Sequence, residues 1–125
     1  MTPKLTLNVT SEAEFFRKGR ELAKLADAGK SIPQSVTLSF TEPEELSRLL
    51  TSARIALFKA VKAQPDSISA IATRLHRDRS AVKRDVDILE KAGVIKVSDV
   101  VSSGHGRKKL VYPVASEMRL EAVFV

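Results

Sequence analysis

The sequence contains no cysteine, so this chain has neither a disulfide framework nor a thiolate metal site. Its two histidines stand far apart, which argues against a zinc site. No apolar run approaches the roughly 18 residues that indicate a membrane span, and the N-terminus lacks the charged and then apolar layout of a signal peptide. We therefore expect a cytoplasmic protein without a membrane partner, a metal or a cofactor.

Groups that could perform catalysis do not converge on any one segment. His76 and His105 fall in different segments, no glycine-rich phosphate loop follows a strand, and the carboxylates lie on exposed helical faces. Aromatic residues are also scarce, with five Phe, one Tyr and no Trp, nearly all at apolar-face positions. These absences predict no enzyme activity and no catalytic residue, and they weigh against RNA binding through base stacking.

The residues that are present favour one domain with a real core, or a small domain with an appendage. The chain has 125 residues, of which 43% are hydrophobic. Its net charge of +6 is one-sided: residues 1–50 hold seven Lys/Arg against seven Asp/Glu, and residues 51–125 hold fourteen against eight. Such an excess is typical of nucleic-acid binders, although a basic surface kept for solubility would give the same count.

The segment 1–50 predicts strand, helix, strand and short helix. Apolar and polar residues alternate at 5–9 and 36–40, and S/T-x-x-E spacing predicts helices capped by Ser11 and Thr41. So small a unit cannot bury two sheet faces, and either the second half of the chain or another copy must cover it. Its open strand edges favour a homodimer, so we interpret 1–50 as a dimerisation or partner-binding unit.

The segment 51–114 predicts three helices and a hairpin. The first helix spans about 52–63, with Ile55, Leu57, Phe58 and Val61 as its apolar face. Ser69 and Asp78 are expected to cap the next two, and Gly93 to end the last. The inner stripe of that last helix is Val82, Val86 and Leu89.

Two β-rich runs around the glycine-rich link SSGHGR follow the last helix and predict a basic hairpin. Ile68 is placed to form a one-residue bridge to one of its strands. The tail 115–125 ends in a strand-like run at 122–125, which we place against the N-terminal unit. The fold class is thus α+β, a winged helix-turn-helix domain with an N-terminal β-α-β extension.

The segment Thr51 to Tyr112 resembles the winged helix-turn-helix regulators described as MarR-like, and RDRSAVKRDVDILEKAGVI is especially similar to their recognition helix. The arrangement EAEFFRKGRELAKLADAGKSIP followed by VTLSFTEPEELSRLLTSARIALFKAV is similar to a family of small DNA-binding-type proteins often found beside toxin genes and treated as antitoxins. The resemblance implies a sequence-specific regulator of double-stranded DNA, a repressor, with a toxin protein as a further partner.

The third helix of this domain carries the expected DNA contacts. Arg79 and Lys83, four apart on its outer face, are long enough to reach guanine O6 and N7, and Ser80 is a short-range reader. Glycine-flanked His105 is expected to reach the minor groove. The residues expected to hold backbone phosphates are Arg74, Arg77, Arg84, Arg107, Lys108 and Lys109.

Asp85 and Asp87 run against this basic trend, because carboxylates that face phosphate cost binding energy. Asp85 is expected to pair with a basic residue of the preceding helices, for which Arg54 is one option, and Asp87 to face solvent. Each isolated cation has an alternative interpretation as a solvated surface charge, but five Lys/Arg fall within residues 74–84. A single recognition helix contacts few base pairs, which adds a reason to expect a homodimer on a palindromic site.

A winged-helix module that binds an acidic protein and no DNA is the alternative function. It predicts binding that DNA does not compete for, whereas DNA binding predicts a log affinity that falls linearly with log salt.

Overall fold

The computed structural model describes residues 4–9, 17, 35–102, 106–122 and 124, and it has an α+β architecture. The expected helix from Ser11 lies outside these residues except for Arg17, which is helical. Within the described part of the chain, no helix is both long and apolar enough to cross a membrane. The elements in chain order are β1 (Lys4–Val9), β2 (Ser35–Phe40), α1 (Pro43–Leu49), α2 (Ser52–Ala63), α3 (Ile68–Leu75), α4 (Arg79–Lys91), β3 (Ile95–Ser102), β4 (Gly106–Pro113) and β5 (Glu117–Ala122).

One sheet joins both ends of the chain. Its strand order is β1-β2-β5, and β2 pairs in parallel with both neighbours. Five of the six residues of the central strand β2 are buried, as expected for a parallel strand covered on both faces. The prediction that the tail lies against the N-terminal unit is therefore confirmed, but its strand runs from Glu117 to Ala122 instead of occupying 122–125.

Two of the predicted helix caps are wrong by one or two residues. The Ser67 hydroxyl, not that of Ser69, caps α3 by accepting from the N–H of Ala70 at 3.2 Å, because the helix begins earlier, with Ile68 buried in its first turn. Glu42, not Thr41, occupies the N-cap position of α1. Proline without an N–H suits the first position of a helix, and Pro43 stands there.

The predicted limits of α2 and α4 are confirmed. Thr51 caps α2 by accepting from the N–H of Arg54 at 3.2 Å, and Asp78 occupies the N-cap position of α4. Gly93 follows α4 with φ of +81°, and its N–H donates to the carbonyl of Glu90 at 3.0 Å. The left-handed conformation that ends this helix is one that glycine adopts without a steric cost.

The helices pack on the hairpin through a shared apolar core. The predicted inner stripe of α4, Val82, Val86 and Leu89, is fully buried. From α2 only part of the predicted face is buried: Leu57 and Val61 are at 0% exposure, whereas Ile55 is 39% exposed. Ile55 lies two positions before Leu57, which at 100° per residue turns it far from the buried stripe.

The hairpin β3–β4 is antiparallel, with Ile95 opposite Pro113 and Ser102 opposite Gly106. It is tied to the helices by an isolated bridge in which the N–H of Val111 donates to the carbonyl of Asp66 at 2.8 Å. The expected bridge through Ile68 is therefore wrong, because that residue is already in α3 and uses its backbone there.

Candidate nucleic-acid interface

The first half of α4 presents four polar side chains to solvent, opposite its buried stripe. Arg79 donates through Nε to the hydroxyl of Ser69 at 2.9 Å, and Lys83 forms a 3.0 Å ion pair with Asp87 one turn later. Arg84 is exposed and forms no ion pair with any described residue. The sequence prediction that this face points outward is confirmed for Arg79, Ser80, Lys83 and Arg84.

Ser80 contacts the residue that begins the helix. Its hydroxyl donates to the carboxylate of Asp78. This hydrogen bond is the main cause that lowers the pKa of Asp78 below its usual value, with further help from the backbone N–H groups of Ser80 and Ala81. An ionised carboxylate at this end favours the helix through the macrodipole. Because the Ser80 hydroxyl already donates its proton to Asp78, it can act only as a hydrogen-bond acceptor towards a nucleic-acid base.

Arg77 and Arg54 converge on the buried carboxylate of Asp85. Arg54 Nε lies 3.1 Å from Oδ1, and Arg77 Nη2 lies 2.8 Å from Oδ2. Arg54 also donates through Nη1 to the carbonyl oxygens of Arg48 and Leu49 at the end of α1. The expected pairing of Asp85 with Arg54 is confirmed, and the network joins α1, α2 and α4 in one arrangement.

Arg74, which is also predicted to hold a phosphate, contacts the C-terminal end of α2. It donates through Nη2 to the carbonyl of Gln64 at 2.9 Å and lies 3.7 Å from the carboxylate of Asp66. Arg74 and Arg77 thus have protein partners that position helices, and their role as phosphate contacts stays a prediction.

The hairpin contributes further cations on β4. Lys108 Nζ lies 3.6 Å from Asp66 with half of its side chain exposed, and Lys109 is exposed opposite Asp99 in the hairpin register. The backbone N–H of Ser67, and then the charges of Lys108 and Arg74, hold the pKa of Asp66 below its usual value. The backbone of Arg107 belongs to β4, whereas its side chain and the whole of His105 lie outside the described residues.

A groove of about 490 Å³ separates α4 from the hairpin, and it brings cations of both elements together. Arg79 and Lys83 line it from α4 and Lys109 from β4. Three carboxylates line it as well, from Asp87, Glu90 and Asp99. The sequence predicted none of the three at this groove: Asp87 was expected to face solvent, and Glu90 and Asp99 were not singled out. Helical spacing places Glu90 on the same face of α4 as Lys83 and Asp87, so its position could have been predicted. The position of Asp99 at the groove depends on the hairpin register, which the sequence pattern does not give.

The described residues contain no cluster of three or more His, Cys, Asp or Glu side chains arranged to hold a metal ion. The groove presents charged side chains and hydroxyl groups.

The sequence model of one protein family, HVO_A0114, matches residues 49–117, which is more than half of the 125-residue chain. The chain belongs to the HVO_A0114 family. In this HVO_A0114 member, the matched stretch runs from the last residue of α1 to the first residue of β5 and contains the whole groove. No curated protein matches the chain.

Proposed function

We propose that the chain is a sequence-specific regulator that binds double-stranded DNA through a winged helix-turn-helix domain. In this proposal α4 is the recognition helix and enters the major groove, and the hairpin β3–β4 is the wing that touches the backbone or the minor groove. The element order α2, α3, α4, β3, β4 supports it, as does the packing of all five around one core.

The observation that carries the proposal is the groove that Arg79 and Lys83 share with Lys109. Because two separate elements direct cations to one opening, a single polyanion can contact both. Each phosphate that such cations neutralise releases condensed counterions, which is the main source of affinity for DNA.

The contacts of the individual cations suggest different roles. Arg79 is held only by a neutral hydroxyl among the described residues, so its guanidinium is available for a bidentate contact with guanine O6 and N7. Lys83 must first leave Asp87, and an exposed pair at this spacing costs about 0.3–0.5 kcal/mol to break. Arg84, Lys108 and Lys109 are the proposed phosphate contacts, because all three are exposed. Lys108 must give up its 3.6 Å contact with Asp66 to bind a phosphate.

A homodimer completes the proposal, since two recognition helices are needed to read half-sites about one helical turn apart. Binding at the promoter of its own gene would make the chain a repressor. A toxin encoded beside it would add the antitoxin role that the resemblance implies.

The test is a fluorescence anisotropy titration of the purified chain against duplex DNA from upstream of its own gene, repeated between about 50 and 200 mM salt. We expect log affinity to fall linearly with log salt, and the slope to decrease by about one unit in Arg84→Ala and in Lys109→Ala. Lys62→Ala is the matched control, because Lys62 is an equally exposed cation on α2. Affinity that neither salt nor the two interface variants change would contradict the proposal.

A second candidate function, a protein-interaction module that does not bind DNA, is favoured by the three carboxylates in the same groove. They repel phosphate but suit a polypeptide that carries both signs of charge. If the chain captured such a protein in the presence of excess duplex DNA, and Arg79→Ala weakened that capture, this function would replace the first.

A further inference from the structure

Strand β5 is an edge of the three-stranded sheet among the described residues, and its two faces differ. Odd positions Glu117, Arg119 and Glu121 are exposed, and even positions Met118, Leu120 and Ala122 are half-buried. An edge strand presents backbone N–H and C=O groups to any strand that can pair with it.

The apolar row of the sheet is only partly covered where it reaches β5. Val36 and Leu38 of β2 are at 0% exposure, whereas their register neighbours Met118 and Leu120 remain half-buried. Two residues beyond the strand, Phe124 is 86% exposed. The half-buried Met118 and Leu120, together with exposed Phe124, therefore form an apolar surface along the β5 edge. A further strand that extends the sheet can cover it.

The charges on β5 favour another β5 as that strand. Two copies related by a twofold axis perpendicular to the sheet place their edge strands antiparallel with like faces on the same side. If Leu120 lies on the axis, Arg119 stands opposite Glu121 of the second copy, and Met118 stands opposite Ala122. If Arg119 lies on the axis, it faces its own copy and like charges meet, which disfavours that register. If Met118 lies on the axis, Arg119 stands opposite Glu117, which already accepts from Arg119 of its own chain at 2.9 Å, so this register gains less than the one centred on Leu120.

The existing contacts leave room for this pairing. Arg119 donates through Nε to Glu117 of its own chain at 2.9 Å, so its two terminal nitrogens can reach Glu121 of the second copy. Glu121 accepts from Ser39 through Oε1 and retains Oε2. The opposite edge, β1, has Lys4 as its single charged residue, so a pair of β1 strands gains no complementary ion pair.

We infer that the chain forms a homodimer through antiparallel pairing of β5 with β5 of a second copy, centred on Leu120, which gives one continuous six-stranded sheet. This inference deepens the proposed function and rests on it only for the pairing of half-sites, because the dimer itself requires no DNA. The sequence alone predicts dimerisation through the unit 1–50, whereas this inference places the interface on β5.

The first experiment measures mass in solution by sedimentation equilibrium for the wild type, Arg119→Glu, Glu121→Arg and the double variant. We expect twice the 13.7 kDa chain mass for the wild type, a dissociation constant raised at least about tenfold in each single variant, and most of the affinity restored in the double variant. Phe124→Ser should also weaken the dimer. Because the Phe124 side chain is 86% exposed, this substitution should leave the fold intact. Lys62→Glu is the control charge reversal and should leave the dimer unchanged.

The second experiment tests the register with a single introduced thiol, which is unique because the chain has no cysteine. Leu120→Cys should form a disulfide-linked dimer on mild oxidation, since residues opposite each other in an antiparallel pair have Cβ atoms about 5 Å apart. Met118→Cys should not, because four residues of strand place the two thiols about 13 Å apart.

A wild type with single-chain mass, a dimer that neither reversal weakens, or equal cross-linking at both positions would each overturn the inference. Failure of the proposed function has a different signature, namely a dimer of the expected mass that does not bind DNA. A monomer that still binds DNA would contradict the β5 interface but not the proposed DNA binding.

Discussion

Two groups of basic side chains surround α4 and differ in what they contact. Arg54, Arg74 and Arg77 bind carboxylates or helix-end carbonyls, and 17%, 32% and 26% of their side chains are exposed. Arg79 and Arg84, only a few residues further along, have either a neutral hydroxyl or no described ion-pair partner and are exposed. Proximity in sequence therefore does not make these cations equivalent: the first group orients the helices, and the second is available to a ligand.

For Arg54 and Arg77 the difference arises from one buried carboxylate, that of Asp85. Asp85 lies on the same side of α4 as Val82, Val86 and Leu89, and desolvation makes its negative charge costly unless cations compensate it. Arg54 and Arg77 supply that compensation from two sides. Removing Asp85 would leave both guanidinium groups without that carboxylate, whereas removing an exposed cation should affect binding alone.

The largest expected effect is that of Asp85→Ala. It leaves two partly buried guanidinium groups without their carboxylate, and we expect the free energy of unfolding to fall by about 2–3 kcal/mol, as measured by urea denaturation. Asp87→Ala is the control and should change stability by less than about 0.5 kcal/mol, because its pair with Lys83 is half exposed. Equal losses in the two variants would remove the distinction between the groups.

A reversed pair tests the same contact from both ends. The double variant Arg54→Asp with Asp85→Arg should recover part of the stability that each single variant loses, because the ion pair can re-form with opposite polarity. Losses that simply add would show that the 3.1 Å contact contributes nothing to folding.

The next effect separates binding from folding. Arg79→Ala should weaken DNA binding about tenfold, which corresponds to roughly 1.4 kcal/mol, and leave the urea midpoint unchanged. Arg77→Ala should do the opposite, lowering the midpoint while the folded protein keeps its affinity. Both quantities are measured on the same preparations by anisotropy and urea titration. The comparison fails if Arg77→Ala weakens binding as much as Arg79→Ala does.

Much of this arrangement was predictable from local sequence signals. Apolar periodicity predicted the α4 stripe and the span of α2, and the unexpected acidic residue in a basic helix indicated the Asp85–Arg54 pair. These features depend on residues close in sequence or on a single charge that needs a partner.

Other features depend on contacts that no local pattern encodes. Arg74 and Arg77 had the composition of phosphate ligands, and only the arrangement of helices shows that Gln64 and Asp85 occupy them. Asp99 reaches the groove through the hairpin register, which residues distant in sequence determine. A cap can move by one or two residues when burial of a side chain such as Ile68 fixes the first turn instead.

A smaller effect tests the support beneath Arg79. Ser67→Ala removes the hydroxyl that caps α3 and should lower the free energy of unfolding by about 1 kcal/mol. Ser69→Ala is its matched control two residues later. It removes only the 2.9 Å contact with exposed Arg79, so stability should stay within about 0.5 kcal/mol and DNA affinity within about twofold. A larger loss in Ser69→Ala would place Arg79 in the structural group of cations.

The smallest expected effect concerns the pH dependence that arises from the contacts of Asp66 with Arg74 and Lys108. The Ser67 N–H, and then Lys108 and Arg74, lower the folded-state pKa of Asp66. The ionised Asp66 therefore stabilises the fold above the unfolded pKa of about 3.9, and this stabilisation is lost as the pH falls through the folded-state pKa. Asp66→Asn keeps an acceptor for the Ser67 N–H but removes the charge. At pH 7 the urea midpoint of this variant should lie below that of the wild type. The difference in free energy of unfolding should be less than about 1 kcal/mol, because these ion pairs are partly exposed. The two midpoints should converge as pH falls from about 5 towards 2, and a difference that stays constant over this range would show that the charge of Asp66 does not hold Arg74 and Lys108 in place.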